Sequence, residues 1–447
     1  MKTIQSQIVI AGGGPSGSLA AIAAARNGAK VLLVEQYGCL GGMATMGSVN
    51  PWMSFHDKAG NQVIAGIPQE IVGSLIALGA SPGHVVDTMG ETSTITPFDP
   101  ETLKALLVKM CLDAGVEILY HTFIFDAEFR DDKVTALCAA NKNGQVRIEG
   151  DVFIDCTGDA DIAAYAGCPY EIGRPEDGMM QPGTMNFSMA NVDFEPIRAY
   201  MTKHHDEFHH RTLFDLLETQ EPSSVSGFFS IWNKVRSEIS MPIMRDRFLI
   251  FKGYRGDVAT VNTTRVIGIN STETKDLTRG EIEGRFQVME VSKLMVKYLP
   301  GFENAYLLST GSVIGIRESR RITGEYVLNK EDLISGRNFP DDVMINAYTI
   351  DVHDPNGAGF TQYEVPPYGI PYRSLLPQKI SNLIVAGRSI STTREAQGSV
   401  RTTPSCMAMG QAAGTAAALA VNQGSGVKDI DAGALRDLLK KANVYLG

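Results

Sequence analysis

The run Ile8-Val9-Ile10-Ala11, followed at once by Gly12-Gly13-Gly14-Pro15-Ser16-Gly17, constrains this chain more than any other feature. Four apolar residues, mostly β-branched, read as a buried parallel strand. The alanine-rich stretch 15–27 reads as a helix ended by Gly28, and Val31 to Val34 as a second buried strand closed by Glu35. Strand, glycine turn, helix and strand in this order make the βαβ unit of a dinucleotide-binding fold. In such a unit Gly12 permits the tight turn, Gly14 lets the backbone approach a pyrophosphate, and Gly17 lets helix and strand pack closely. The helix start at Pro15 and Ser16 offers free N–H groups to phosphates. Glu35, with Gln36 beside it, stands where a side chain accepts from the adenosine ribose hydroxyls. The plainer alternative is a purely structural glycine turn.

Further along, 102–114 reads as a helix with Leu103, Leu106, Leu107 and Met110 on one face, and 116–120 as a strand. Residues 134–139 and 145–149 read as a hairpin around Asn143-Gly144. Val152 to Cys156 is another buried strand, leading into Thr157-Gly158-Asp159. From about residue 173 to 368 strand-like and helical stretches mix, without a second glycine fingerprint. Leu383 to Ala386 then reads as a strand, and 405–421 as a small-residue helix capped by Thr403 with Pro404 at its first position. The expected architecture is α/β. Residues 1–172 and 369–447 form a doubly wound Rossmann-type domain, and 173–368 form an inserted mixed α+β substrate or capping domain.

The 447-residue length suits two or three domains. A net charge of −10 argues against a nucleic-acid partner, which needs a basic surface. The six cysteines form no CxxC pair and match no zinc or iron–sulfur spacing, so neither metal nor cluster is expected. Scattered thiols, no signal-peptide pattern and no membrane-length apolar run point to a cytoplasmic protein.

Three segments separate a flavin from a nicotinamide cofactor. They are Cys39-Leu40-Gly41-Gly42-Met43-Ala44-Thr45, the stretch Ile154-Asp155-Cys156-Thr157-Gly158-Asp159, and Asn382 to Arg388 with the following small-residue helix. With GIRESRRITGEYVL at 315–328, YTIDVHDPNG at 348–357 and YGIPYRSLLP at 368–377, they cover most of the chain. Together they resemble FAD-dependent oxidoreductases of the glutathione-reductase and succinate-dehydrogenase type, and more closely the heterodisulfide-reductase-like flavoproteins. The resemblance implies bound FAD, with Gly41, Gly42, Met43 and Ala44 lining the flavin. It further implies that Thr157, Gly158 and Asp159 lie near the adenine-side phosphates, Gly387 and Arg388 near the ribityl chain, and Gly398 and Ser399 beside the cofactor. The helix after Pro404 should aim its N-terminus at the flavin pyrimidine, where a positive dipole end favours the anionic reduced ring.

The expected reaction is hydride transfer between a small organic, carboxylate-bearing substrate and flavin N5. Arg401 stands where fumarate-reductase-like enzymes place a carboxylate-binding arginine, and its fork suits a carboxylate; a structural salt bridge is the alternative. His353, between Asp351 and Asp354, is a candidate base for the accompanying proton, or a loop histidine. His56 is a weaker candidate of the same kind. Arg317, Glu318, Arg320 and Arg321 form a dense charge cluster, read as a surface or domain-interface network, with recognition of an anionic substrate as the alternative. Cys39 is read as a packed thiol rather than a flavin thioether. His205 and His209 stand four apart in a stretch read as a solvated helix face. Two rival readings are an electron-transfer subunit of a larger complex and an NAD-dependent dehydrogenase. The electron acceptor and any homo-oligomer stay open.

Overall fold

A computed structural model describes residues 2–447. Its centre is a five-stranded parallel sheet in the order Leu383–Val385, Val152–Asp155, Ile8–Ala11, Val31–Val34, Glu117–Leu119. These strands carry continuous apolar runs because helices cover one face and further layers the other, leaving almost every residue of the inner strands buried. The first helix, Pro15–Arg26, crosses the helix Thr403–Gln423 at very short range. A Cβ at Gly410 would come 2.1 Å from the Ser16 carbonyl oxygen, and one at Gly414 2.1 Å from that of Ala20. The alanine and glycine content of the late helix is therefore the condition for two backbones to touch.

A second sheet lies outside the first. Phe123–Arg130, Lys133–Asn141 and Gly144–Glu149 run antiparallel, and Lys2–Gln5 joins Gly144–Glu149 in parallel register, Lys2 opposite Val146. The expected hairpin around Asn143-Gly144 is present. The strand Lys2–Gln5 is mostly exposed and polar, so it carries no apolar signal.

The inserted part has its own antiparallel sheet, in the order Ser224–Gly227, Phe248–Lys252, Val258–Val261, Phe187–Ala190, Tyr306–Thr310. The 25-residue helix Thr274–Tyr298 packs on it. Gly280 and Gly284 let this helix approach: a Cβ there would sit 2.6 Å from Ile269 and 2.9 Å from Met185. The core so formed runs from Met185 to Ile314 and contains Trp232, whose indole N–H donates to the Arg245 carbonyl at 2.7 Å. Leu328, Val343 to Ile345, Ile350, Val365 and Tyr368, which fall within 173–368, pack instead into the core of the nucleotide domain.

Two local expectations are corrected. The stretch around His204 to His210 is not an α-helix: Phe194–Met201 ends before it, His205–Glu207 forms only a 3-10 turn, and Phe208 bridges to Gly227. His205 stacks on Phe214 and His209 faces Glu91, so the four-residue spacing never brings the two rings to one face. The cap of the late helix is Thr402, with Thr403 at the first helical position and Pro404 at the second.

Candidate functional site

The carboxyl ends of the central parallel strands lie along one edge of the sheet. Ile8–Ala11 delivers Gly12, Val31–Val34 delivers Glu35, Val152–Asp155 delivers Thr157 and Gly158, and Leu383–Val385 delivers Gly387. Open parallel sheets bind ligands outside these ends. Gly12 turns with φ +91° and its N–H donates to the Val34 carbonyl at 2.8 Å. A Cβ at Gly17 would lie 1.8 Å from the Gly12 oxygen, so this glycine is required for packing. Gly14 differs: nothing comes nearer its would-be Cβ than the Gly42 Cα at 4.0 Å. Packing of this chain gives no reason for glycine there.

The helix starting at Pro15 has no side-chain cap, and its first N–H groups have no intrahelical acceptor. The N-terminus at Thr402 likewise lacks a side-chain cap. Two uncapped helix starts facing one cleft, and an open face at Gly14, fit a ligand with phosphates at one end and electron-rich oxygens at the other. FAD meets that description.

The remaining cofactor candidates divide. Glu35 is buried, its carboxylate accepting from Gly13 N–H at 2.6 Å and Tyr37 N–H at 2.8 Å; burial pushes its pKa upward. It orders the glycine loop and retains lone pairs toward the cleft, while Gln36 is exposed. Gly41, with φ +99°, donates its N–H to the Gly13 carbonyl at 2.8 Å, and Gly42 lies against Gly14. Met43 beside them is half-buried, whereas Ala44 is wholly buried and packs inward. Cys39 nearby is a half-buried free thiol whose pKa burial raises.

Thr157 is held by Asp155, which accepts its N–H and hydroxyl at 3.1 and 2.8 Å. The Arg388 guanidinium is taken up by protein groups: the carbonyls of Gly158 and Ile316 at 2.7 and 2.9 Å, and Asp159 at 2.9 Å. Arg388 and Asp159 thus shape the turn at Gly158. Ser16 lies close enough to Gly387 that a Cβ there would meet its hydroxyl at 2.7 Å. Gly398 and Ser399 face away from the glycine loop. A Cβ at Gly398 would meet the Asp351 carbonyl at 2.7 Å, and the buried Ser399 hydroxyl pairs with Tyr368 at 2.7 Å and donates to the Tyr348 carbonyl.

The catalytic candidates Arg401 and His353 come together through Asp351. Arg401 ends the short helix Arg394–Val400 and immediately precedes the start of Thr403–Gln423. One guanidinium N–H group donates to the Asp351 carboxylate at 3.1 Å, while Arg401 Nε is buried with no partner among the described residues. The other oxygen-side contact of Asp351 is His353 Nε2, at 3.2 Å from the same carboxylate atom. His353 Nδ1 lies 3.1 Å from an Arg265 N–H donor. Arginine only donates, so Nδ1 accepts and the ring proton sits on Nε2, pointing to Asp351. Burial holds His353 neutral, its pKa pushed down to about 3. Burial alone would raise Asp351, but His353, Arg401 and Arg317 around it hold it well below the carboxylate range. In this arrangement His353 offers no open nitrogen to a substrate proton, because both are engaged.

His56 sits elsewhere. Its Nδ1 lies 2.9 Å from the Thr94 hydroxyl and its ring stands edge-on to His84 at 4.8 Å; none of these partners belongs to the Asp351 group.

Around Asp351 stand Arg317, read from the sequence only as part of a charge cluster, and three residues that sequence reasoning missed, Arg245, Arg265 and Tyr348. Arg245 sits in the loop before Phe248–Lys252, Arg265 follows Val258–Val261, and Arg317 follows Tyr306–Thr310. Arg265 is anchored through its backbone: buried Gln287 of the long helix accepts its N–H at 2.8 Å and donates to its carbonyl at 3.0 Å. Tyr348 is half-buried, its hydroxyl makes no hydrogen bond to the protein among the described residues, and burial drives its pKa far upward. The charge cluster 317–321 is an internal network, not a surface one. Glu318, wholly buried, pairs with Arg321 at 2.8 Å and Arg394 at 3.1 Å, while Arg317 turns toward the Asp351 group.

Among solved structures, the chain shares its fold with p-nitrophenol 4-monooxygenase from Pseudomonas putida, at 10% identity and TM-score 0.50, over 100% of this chain and 90% of that one. A geranylgeranyl bacteriochlorophyll reductase-like protein from Thermoplasma acidophilum aligns at 12% identity and TM-score 0.49, over 99% and 83% of the two chains. The flavin-dependent brominase Bmp2 aligns at 12% identity and TM-score 0.48, over 98% and 84%. No curated protein matches the chain in sequence. No helix among the described residues is long and apolar enough to cross a membrane. The model of the FAD dependent oxidoreductase family matches residues 7–439, nearly the whole chain, and the protein belongs to that family of FAD-using enzymes.

Proposed function

We propose that this enzyme transfers two electrons between FAD and a small carboxylate-bearing organic substrate, with Arg401 receiving the carboxylate. The observation that carries the reading is the Arg401 side chain itself. It is mostly buried beside the start of Thr403–Gln423, and one of its donors has no protein acceptor. A buried donor left open costs about 1–3 kcal/mol, a cost that an incoming carboxylate removes.

FAD, when bound, supplies the redox chemistry by taking or giving a hydride at flavin N5. Gly12 to Gly17, Glu35, Gly41 to Met43 and Thr157 to Gly158 supply the cofactor cleft. Asp351 holds the Arg401 guanidinium in place. His353 acts as a positioning residue, fixing Asp351 through Nε2 and Arg265 through Nδ1. In the direction of substrate reduction, where the flavin gives the hydride, Tyr348 gives the accompanying proton: it stays protonated, lies among the same charges and has a free hydroxyl among the described residues. A phenol held neutral beside arginines is suited to donate to a developing anion.

The test is a panel of carboxylic acids, alcohols and amines mixed anaerobically with the FAD-loaded protein. Bleaching of the flavin bands by a carboxylate, and its loss in Arg401→Ala with FAD content unchanged, is the expected result. Bleaching only by uncharged alcohols or amines, equally fast in Arg401→Ala, would overturn the proposal.

A further inference from the structure

Arg401 has three arginine neighbours, and their charge is not accounted for by one carboxylate. Arg245, Arg265 and Arg317 are buried or half-buried, and none of them forms an ion pair with an acidic side chain among the described residues. Their partners are neutral. Arg245 donates to the carbonyls of Asn262 and Thr263, at 2.8 and 3.4 Å. Arg265 donates to His353 Nδ1 and to the carbonyls of Asp354 and Gly359. Arg317 donates to the Pro182 carbonyl at 2.8 Å, the Thr184 hydroxyl at 2.7 Å and Asn262 Oδ1 at 3.5 Å. Carbonyls aim a guanidinium without cancelling its charge.

The four side chains form one group. Asn262 touches both Arg245 and Arg317; Asp351 touches Arg401 directly and Arg265 through His353. Each guanidinium is also within electrostatic reach of the next. Burial lowers the pKa of Arg317, and Arg401 and Arg245 lower it further; Arg265 is lowered by burial and Arg317, and Arg245 by burial and Arg265, while the carboxylates of Asp351, Asp354 and Asp246 offset only part of this without bonding to the three guanidiniums. Asp354 turns its carbonyl to Arg265, while its carboxylate caps the turn at Asn356. Arg265 Nε, like Arg401 Nε, is buried without a partner among the described residues. Buried charges are ordinarily paired, because an unpaired one loses its hydration without compensation. Three guanidiniums left without a carboxylate therefore mark a place completed by a ligand.

We infer that the substrate carries two anionic groups, a carboxylate at Arg401 and a second carboxylate or phosphoryl group met by Arg317, Arg265 and Arg245. This rests on the carboxylate reading of Arg401 and adds the second group. One anion would leave the far side of the cluster uncompensated; two bring its charge close to balance. Monoanionic acids then bind through half the site only.

The experiment is calorimetric titration of the FAD-loaded protein with non-reacting acids. Malonate and glutarate are compared with acetate and butyrate, and phosphonoacetate distinguishes a phosphoryl from a carboxylate as the second group. The expected result is at least one dianion binding about 10- to 150-fold tighter than the monoanions, since a charge-assisted hydrogen bond contributes about 1.5–3 kcal/mol. Arg317→Met should erase that advantage while leaving the weak monoanion binding in place, and Arg401→Met should weaken both. Equal binding of monoanions and dianions to the unaltered protein, with both lost in Arg401→Met, would sink the second-group inference and leave the carboxylate reading standing. No binding by any acid would remove both. The comparison on the unaltered protein decides the matter even where a variant fails to fold.

Discussion

Two glycines three residues apart should fail in opposite ways when substituted. At Gly14 the backbone has φ −66° and ψ −170°, which any residue adopts, and a Cβ would find its nearest neighbour, Gly42 Cα, 4.0 Å away. Gly14→Val should therefore leave the apoprotein folded, with unfolding free energy changed by no more than about 1 kcal/mol. FAD binding should suffer heavily. A branched side chain pressed between loop and pyrophosphate costs about 1–3 kcal/mol of overpacking, and a displaced backbone donor to a charged phosphate about 1.5–3 kcal/mol more. The sum, about 2.5–6 kcal/mol, corresponds to affinity weakened by roughly 70-fold to 25,000-fold. Gly17→Ala should do the reverse, because its methyl would lie 1.8 Å from the Gly12 oxygen. There the apoprotein itself should lose about 2 kcal/mol or more, and FAD loading should fall only because the fold does. Denaturant unfolding of both apoproteins, paired with FAD titration followed by absorbance, separates the two. If Gly14→Val binds FAD as tightly as the unaltered protein, or if it unfolds the apoprotein as Gly17→Ala does, the placement of the phosphates at this loop is wrong.

Arg401→Ala should lower kcat/KM by about 100-fold or more with FAD content unchanged, and Arg401→Lys should restore only part, since an ammonium cannot replace the fork. Unchanged turnover in both would make Arg401 a structural residue. Tyr348→Phe should cut kcat by about 100-fold while moving KM little, the pattern of a lost proton donor; a change confined to KM would argue against that role. For His84, burial lowers the pKa to about 4 against an ordinary 6.5, so the folded form binds fewer protons than the unfolded chain between those values. Stability from this ring is present above pH 6.5 and declines as pH falls toward 4. Melting temperatures across that window should fall less steeply in His84→Gln, and an identical slope would exclude the ring as a source of acid lability.

The nucleotide domain was legible because its physics is local. Buried parallel strands are continuous apolar runs, as at Ile8–Ala11 and Val152–Asp155, and the glycine turn sits directly between strand and helix. Lys2–Gln5 escaped notice because an exposed polar edge strand has no pattern to read. The histidines at 204–210 looked helical by composition, yet stacking on Phe214 and the bridge from Phe208 to Gly227 override that preference. The places of the glycines and Glu35 at the ends of the central strands were readable from spacing. Arg401 was readable only by resemblance. Arg245 and Arg265 were invisible: each is a single basic residue beside an unremarkable strand, and only the folding back of the inserted sheet brings them to Asp351. His353 was found for its flanking acids, and those neighbours, with Arg265, are what occupy its ring.

The order of strands in the central sheet carries a cost in time. Ile8–Ala11 and Val152–Asp155 pair with each other, but the outer partner of Val152–Asp155 is Leu383–Val385, made more than two hundred residues later. At ordinary translation rates the nascent chain spends on the order of ten seconds or more with that apolar strand's outer edge unpaired, a ready template for wrong pairing. Gly387 and the helix Thr403–Gln423 arrive on the same late segment. Loading of the flavin is thereby tied to the arrival of this strand, and a chain truncated before residue 383 should be both colourless and prone to aggregate.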